Sequence, residues 1–390
     1  MNNKNNKTAS SSDSIYNKIK TKLIIGMRMR DSKNYTLPIV FLLIAAVLFF
    51  FIGNNPSIEA KDPTSYQSMK DGHAKITFTG DVSPSRYLKD IAKNQGPDVF
   101  YKDIKTVWQD SDISIANVEA AVVRDDTEMS DHVSKPKINQ IYLDTSKSDI
   151  EAMKEAGLSL IGYANNHAMD YGVTGLIESL DVFEEVGIDY TGAGRNIDEA
   201  VIPYTEMING TNYSLTAITW VSPKPVTGGS NLPRINKLTS NYALYDLERT
   251  FSSHDFNIVY VHWGTEYGLR PNQEIQDMGR HLIDLGADVV VGAHPHVLFP
   301  VEKYKDGIIA YSLGNTVFDQ AIGRTTTGAI ANLYHKGDDK FIEFNPIKIV
   351  QGVPHLTSNK ANQDAAFDLL TKYLDSSEYE IIDGKLVISF

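Results

Sequence analysis

The residues able to do chemistry in this chain recur in one kind of place. Asp81 follows the apolar run ITFTG, Asn117 and Glu119 end DISIANVE, and Asn165, Asn166 and His167 follow LSLIGYA. His262 ends IVYV, and His294 and His296 follow DVVVGA. Carboxylates, amides and imidazoles are hard and borderline ligands, suited to Zn, Mn, Fe or Mg. The chain has no Cys, which excludes a thiolate ligand, a thiol nucleophile and a disulfide. Singly, each residue has a plainer use: Asp81 as a helix cap, His262 as a satisfied buried histidine, His167 as part of a turn. Independent structural residues have no reason to recur at one end of successive strands, so the joint pattern points to one shared site for a divalent metal. His294 and His296 both face inward only if their loop bends, which Gly292 and Pro295 favour.

Residues so far apart in the chain need a scaffold that converges them. The runs beginning at Ile76, Asp112, Leu158, Asn257, Asp288 and Ile308 are short and apolar on both faces, as buried sheet strands are. Between them lie helical patterns at Asp149 to Glu155, Leu176 to Val186 and Gln273 to Leu285, each stopping before a glycine: Gly157, Gly187 and Gly286. Strands alternating with helices predict an α/β domain, in which loops at the C-terminal ends of parallel strands meet in one crevice. FIEFNPIKIV from Phe341, a helical pattern around Ala365 to Tyr373 and the final KLVISF add strands and a helix to the same domain. GAGRN at Gly192 lacks a complete GxGxxG opening a helix and reads as a turn. His73, His132, His254, His281, His335 and His355 read as surface or local structural residues.

With 42% hydrophobic and 22% charged residues the composition is that of a globular protein. Eight basic against two acidic residues precede Leu37, so a total of −12 leaves about −18 on the remainder. A body that acidic would repel a polyphosphate backbone, and no nucleic-acid partner is expected. The uncharged run from Leu37 to Gly53 is long enough to span a bilayer, and Phe49 to Ile52 offer no small-residue cleavage site. The basic side stays in the cytoplasm. The expected organisation is a cytoplasmic basic tail (1–36), a single transmembrane helix (37–53), an extracellular stalk with Pro56 and Pro63 (54–72) and an extracellular domain (73–390).

GDVSPSR, NVEAAV, YANNHAMDYGVTG, VHWGTEY, GADVVVGAHPHVLFPVE and YSLGNTVFDQ resemble, in order and spacing, the successive blocks of the poly-γ-glutamate capsule synthesis family CapA, also called PgsA. That family is in turn similar to the calcineurin-like metallophosphoesterases. The resemblance implies a four-layer α/β/β/α sandwich with a dinuclear metal site. It places Asp81 as the first aspartate, Glu119 as the bridging acid, and Asn166 with His167 as the Asn-His pair. His262 matches the lone histidine, and His294 and His296 the closing His-x-His. One metal position would draw on Glu119 and His296, the other on Asn166, His262 and His294, with Asp81 and Glu119 bridging. His167 would stabilise developing charge or protonate a leaving group. The first block of those enzymes reads Asp-x-His, whereas here Ser83 stands in the imidazole's place, so one ion is expected to be held more weakly.

The implied function is a membrane-anchored component of poly-γ-glutamate capsule biosynthesis, acting in polymer assembly or export at the cell surface. Its implied partners are the polymer, other membrane subunits of the capsule synthetase and export machinery, and the lipid bilayer. The alternatives are a secreted metal-dependent phosphoesterase and a catalytically inactive scaffold of the same fold.

Overall fold

Along Phe256–His262 and Val289–Ala293 every residue is buried, because successive side chains enter different cores. Ile258, Tyr260, Val289 and Val291 pack with Ile76, Phe78, Ile113 and Ile115 of other strands. Val259, Val261 and Val290 point the other way, onto Leu247, Ile275 and Leu282. These are strands covered on both faces, as their unbroken apolar runs require.

The structure is a computed structural model that describes residues 63–124, 141–221, 231–238, 241–320 and 322–390. The expected tail and transmembrane helix lie outside the described residues. Among those described, no helix is long and apolar enough to cross a membrane.

Two mixed sheets form the frame. The ten-stranded sheet runs Glu380–Ile382, Lys385–Ser389, Asp339–Val350, Thr327–Lys336, Ala74–Val82, Ile113–Val118, Leu160–Gly162, Asp189–Thr191. Two short strands lie off that path: Asn315–Val317 beside Ala74–Val82, and Val353–Leu356 beside Asp339–Val350. The six-stranded sheet runs Val301–Tyr304, Gly307–Ala310, Val289–Ala293, Phe256–His262, Thr211–Thr219, Tyr204–Ile208. In both, the strands that carry the candidate residues are parallel to one another.

The sheets share one core, in which the Phe78 ring stacks on Tyr260 of the other sheet at 6.5 Å between centroids. Truncating such a buried phenylalanine typically costs about 3–5 kcal/mol. That is a large share of a domain's net stability. Outside the larger sheet, Tyr87–Gln95, Lys147–Glu155 and Gly172–Val186 bury Leu88, Ile150, Leu176 and Phe183 against Val118 and Ile161. Outside the smaller one lie Asn241–Phe251 and Gln273–Asp284. The layer order is therefore helix, sheet, sheet, helix.

The three glycine stops are present: Gly187 caps Gly172–Val186 at φ 69°, and Gly157 and Gly286 follow Lys147–Glu155 and Gln273–Asp284 with positive φ. Three expectations change. The segment expected as a stalk is packed in part: Pro63–Met69 is helical, and Tyr66 is buried with Tyr334 and Phe341 on the outer face of the larger sheet. The run at Leu158 supplies only the three-residue strand Leu160–Gly162. The run at Ile308 is not one strand. Gly307–Ala310 belongs to the smaller sheet, the chain turns at Gly314, and Asn315–Val317 joins the larger one beside Asp81.

Candidate metal centre

Each candidate residue stands at or just beyond the C-terminal end of a parallel strand, and the two sheets bring those ends together. Asp81 and Asn117 lie opposite one another on Ala74–Val82 and Ile113–Val118, where the register shifts between Thr79 and Asp81. Gly80 sits in that irregularity, and a Cβ there would lie 1.8 Å from the Gly314 carbonyl oxygen, so no side chain fits. Tyr260 reaches across from the smaller sheet to close the gap: its hydroxyl accepts from the Asn117 N–H at 3.1 Å and donates to the Thr79 carbonyl. Burial pushes that phenol well up, so it stays a neutral donor.

Asp81 accepts from the Asn117 amide at 2.8 Å and from the His294 backbone N–H at 3.2 Å to each carboxylate oxygen. The Asn117 Nδ2 also lies 3.2 Å from His262 Nδ1, tying the two sheets together at the site. Gly292 allows the His294 loop to close: a Cβ there would meet the Tyr311 carbonyl at 2.1 Å and the Trp263 indole at 2.5 Å. Both histidines of that loop hold positive φ, His294 at 94° and His296 at 58°. Strained backbone of this kind persists where the surroundings over-determine it, commonly at ligand clamps.

Glu119 is fully buried, and neither of its carboxylate oxygens has a hydrogen-bond partner. Around its Oε1 stand the Nε2 atoms of His262, His296 and His167 at 3.7, 3.8 and 3.9 Å. His294 Nδ1 is likewise buried without a partner. Burial, then the neighbouring Asp81, pushes the Glu119 carboxyl well up. Burial, then the His294 ring, holds His262 well below the usual histidine range, and burial with His296 holds His294 at about 4. These two imidazoles are thus held neutral, the charge state a metal ligand needs.

These residues fit a divalent ion. Orphaned buried polar atoms are costly unless something satisfies them. Two ligand atoms about 2.0–2.2 Å from one ion at a tetrahedral angle lie roughly 3.4 Å apart, close to the spacing around Glu119. Two sets are close enough to hold a metal, Glu119 with His262 and His294, and Asp81 and Glu119 with His296; Glu119 belongs to both. Asn166 Oδ1 accepts from His262 Nε2 at 2.7 Å while the Asn117 amide donates to Nδ1, so the metal-free His262 carries its hydrogen on Nε2, and ligation through that nitrogen would have to displace it. Ser83, where the resemblance expects an imidazole, is buried with its hydroxyl 2.8 Å from that of Ser85.

Three residues with defined roles were absent from the candidate ligands. Asn165 accepts from the backbone N–H groups of His167 and Ala168 and donates to Asn117 and to the Val118 carbonyl, fixing the turn that carries His167. Asp170 lies 2.7 Å from His167 Nδ1 and also accepts from the Leu143 N–H. Acting as acceptor, it leaves His167 Nε2 facing the site. Asn315 lies 2.9 Å from His296 Nδ1. A signal existed for Asp170, three residues beyond His167 in NNHAMD, but none for Asn315, whose partner is set by the change of sheets.

His73 pairs with Asp339, His335 with Tyr213 and His355 with Asp103, while His254 bonds the Thr250 carbonyl, all away from this centre. His281 lies in Gln273–Asp284, and His132 falls outside the described residues.

The family model described as bacterial capsule synthesis protein PGA_cap matches residues 75–320. The PGA biosynthesis protein CapA of Bacillus subtilis (strain 168) is 31% identical over 356 residues, covering 90% of this chain and 89% of its own. The capsule biosynthesis protein CapA of Bacillus anthracis is 28% identical over 357 residues, covering 90% and 85%. Among solved structures, the Thermus thermophilus sulfate thiohydrolase SoxB gives a TM-score of 0.42 at 8% identity, over 78% of this chain and 62% of that one. Likeness at that level says nothing about activity.

Proposed function

The chain belongs to the bacterial capsule synthesis protein family PGA_cap, and from that premise we propose that it is a membrane-anchored component of poly-γ-glutamate capsule biosynthesis with a divalent-metal centre facing the outside. The observation that carries the role is the extent of the match, which runs through every block that supplies a site residue, from Asp81 to Asn315. The relatives' names supply the polymer: one is a PGA biosynthesis protein, another a capsule biosynthesis protein. The orphaned oxygens of Glu119 support the metal.

In this reading Asp81, Glu119 and His296 would hold one ion, and Glu119, His262 and His294, with Asn166 beside them, would hold the other. A bound divalent ion supplies Lewis-acid polarisation of an oxygen. The chain's own residues do the rest. Asn117 and the His294 N–H hold Asp81 in place, and Tyr260 locks the strand ends below it. Asp170 keeps the proton of His167 on Nδ1, so Nε2 faces Glu119 and can take up or hand on a proton at the site. The polymer is anionic and the body is acidic, so recognition rests on the centre and local groups rather than net charge.

Deleting the gene in its host and complementing it tests the role. Wild type should restore surface polyglutamate and Glu119→Ala should not. Unchanged surface polymer after deletion would sink the proposal, and full restoration by Glu119→Ala would favour a scaffold of the same fold. The cluster of buried His and carboxylate side chains also favours a second reading, a metal-dependent phosphoesterase. Turnover of generic phosphomonoesters or diesters with Mn²⁺ or Zn²⁺, lost in Glu119→Ala, would support it.

A further inference from the structure

We propose that Asn315 is a positioning residue of the His296 half of the centre: it holds His296 in the tautomer whose Nε2 is free, and it keeps the other N–H from turning to Asp81. This rests on the metal reading above.

Asn315 is fully buried on the short strand that crosses to the larger sheet, in register with Asp81. Its amide nitrogen donates to the Thr325 carbonyl and to Gln320 Oε1, each at 3.2 Å. A backbone carbonyl only accepts, so the nitrogen end of the amide must face Thr325 and the oxygen end must face His296. Asn315 Oδ1 lies 2.9 Å from His296 Nδ1 and is itself only an acceptor, so Nδ1 carries the hydrogen. The lone pair is then on Nε2, the atom 3.8 Å from the unpartnered Glu119 Oε1. Metal-ligating histidines almost always donate their other N–H in this way.

Asp81 makes the arrangement matter further. Its Oδ2 is 3.2 Å from the same Nδ1, but the hydrogen bond goes to Asn315 at 2.9 Å. Without the Asn315 oxygen, Asp81 Oδ2 is the acceptor left near that N–H, and turning to it would draw the carboxylate away from the ion it would share with Glu119. The effect lands on the position that already lacks an imidazole at Ser83.

The test uses the full-length protein in detergent, stripped of metal and titrated with Mn²⁺, with occupancy read by elemental analysis and electron paramagnetic resonance. Asn315→Leu is expected to weaken the more weakly held Mn²⁺ by about 10- to 100-fold while the ion at His262 and His294 stays. Asn315→Asp keeps the acceptor for Nδ1 but sets its second oxygen against the Thr325 carbonyl, so it is expected to recover the affinity in part, above Asn315→Leu. Independently of any variant, long-range ¹H–¹⁵N correlations of the metal-free protein should show His296 protonated on Nδ1. Unchanged Mn²⁺ affinities in a folded Asn315→Leu protein, or His296 protonated on Nε2, would overturn the proposal. A wild type that binds no Mn²⁺ while His296 keeps its proton on Nδ1 would instead overturn the metal reading and leave the tautomer assignment standing.

Discussion

Glu119→Gln separates a metal ligand from an ordinary buried acid. The substitution keeps the shape of a side chain that is fully buried, lacks any hydrogen-bond partner and belongs to both candidate ligand sets. Because burial pushes its carboxyl well up, the amide resembles the protonated acid of the metal-free protein, and metal-free stability should change little. The response to metal should be lost. At a free ion concentration 100-fold above Kd, a bound ion stabilises the folded chain by about 2.7 kcal/mol. Unfolding entropy of about 2.1 cal/mol/K per residue, over a domain of roughly 330 residues, comes to about 0.7 kcal/mol/K. The expected rise in melting temperature is therefore about 4 °C for wild type and near zero for Glu119→Gln. Binding must expel any proton on the carboxyl, so the wild-type rise should be larger at pH 8 than at pH 5.5. Scanning calorimetry with Mn²⁺ and with a chelator reads both. A full metal-induced rise in Glu119→Gln, or a collapse of its metal-free stability, would refute the reasoning.

Ser83→His should raise metal occupancy towards two ions per chain, at a stability cost of about 1–3 kcal/mol for inserting a ring at a buried position; elemental analysis decides it, and unchanged occupancy in both Ser83→His and His294→Ala would mean that these residues do not form the centre. Glu343 gives a pH prediction away from the site. Burial alone would push its carboxyl up, but Lys385 and Lys70, with hydrogen bonds from Lys70 and Tyr66, outweigh burial and hold it at about 2. A depressed carboxyl contributes stability that is complete above the unfolded value near 4.5 and is lost as pH falls towards 2. Wild type should lose about 3 kcal/mol more than Glu343→Gln across that window, and equal acid slopes in denaturant unfolding would refute it. Protease added to intact protoplasts should digest the body beyond Gly53 and spare the basic tail, given the charge asymmetry about the Leu37 to Gly53 run. Protection of the body would overturn the orientation.

Much of the centre was legible in the sequence, because the relevant signals are local. A run apolar on both faces marks a strand with cover on both sides, as in Val289–Ala293, whatever covers it. Ligand-type residues just past several such runs mark a common edge, and Asp81, Glu119, Asn166, His167, His262, His294 and His296 do meet there. The hairpin of Tyr204–Ile208 and Thr211–Thr219 also had a local signal, the Asn209–Gly210 pair at positive φ, which the expected strands did not include. Other features belong to tertiary structure alone. Periodicity reports which face of an element is apolar, not which partner lies against it or in what register. Tyr260 reads as one more core aromatic until the two sheets pack and its hydroxyl meets the break at Gly80, 180 residues away in the chain. Asn315 reads as the end of a strand that begins at Ile308, until the chain turns at Gly314, changes sheets and sets that amide between His296 and Thr325. Residue types and local spacing announce which groups can bind an ion. Only contacts between distant segments decide which atoms of those groups are already engaged, as both nitrogens of His262 are, and which stand free, as both oxygens of Glu119 do.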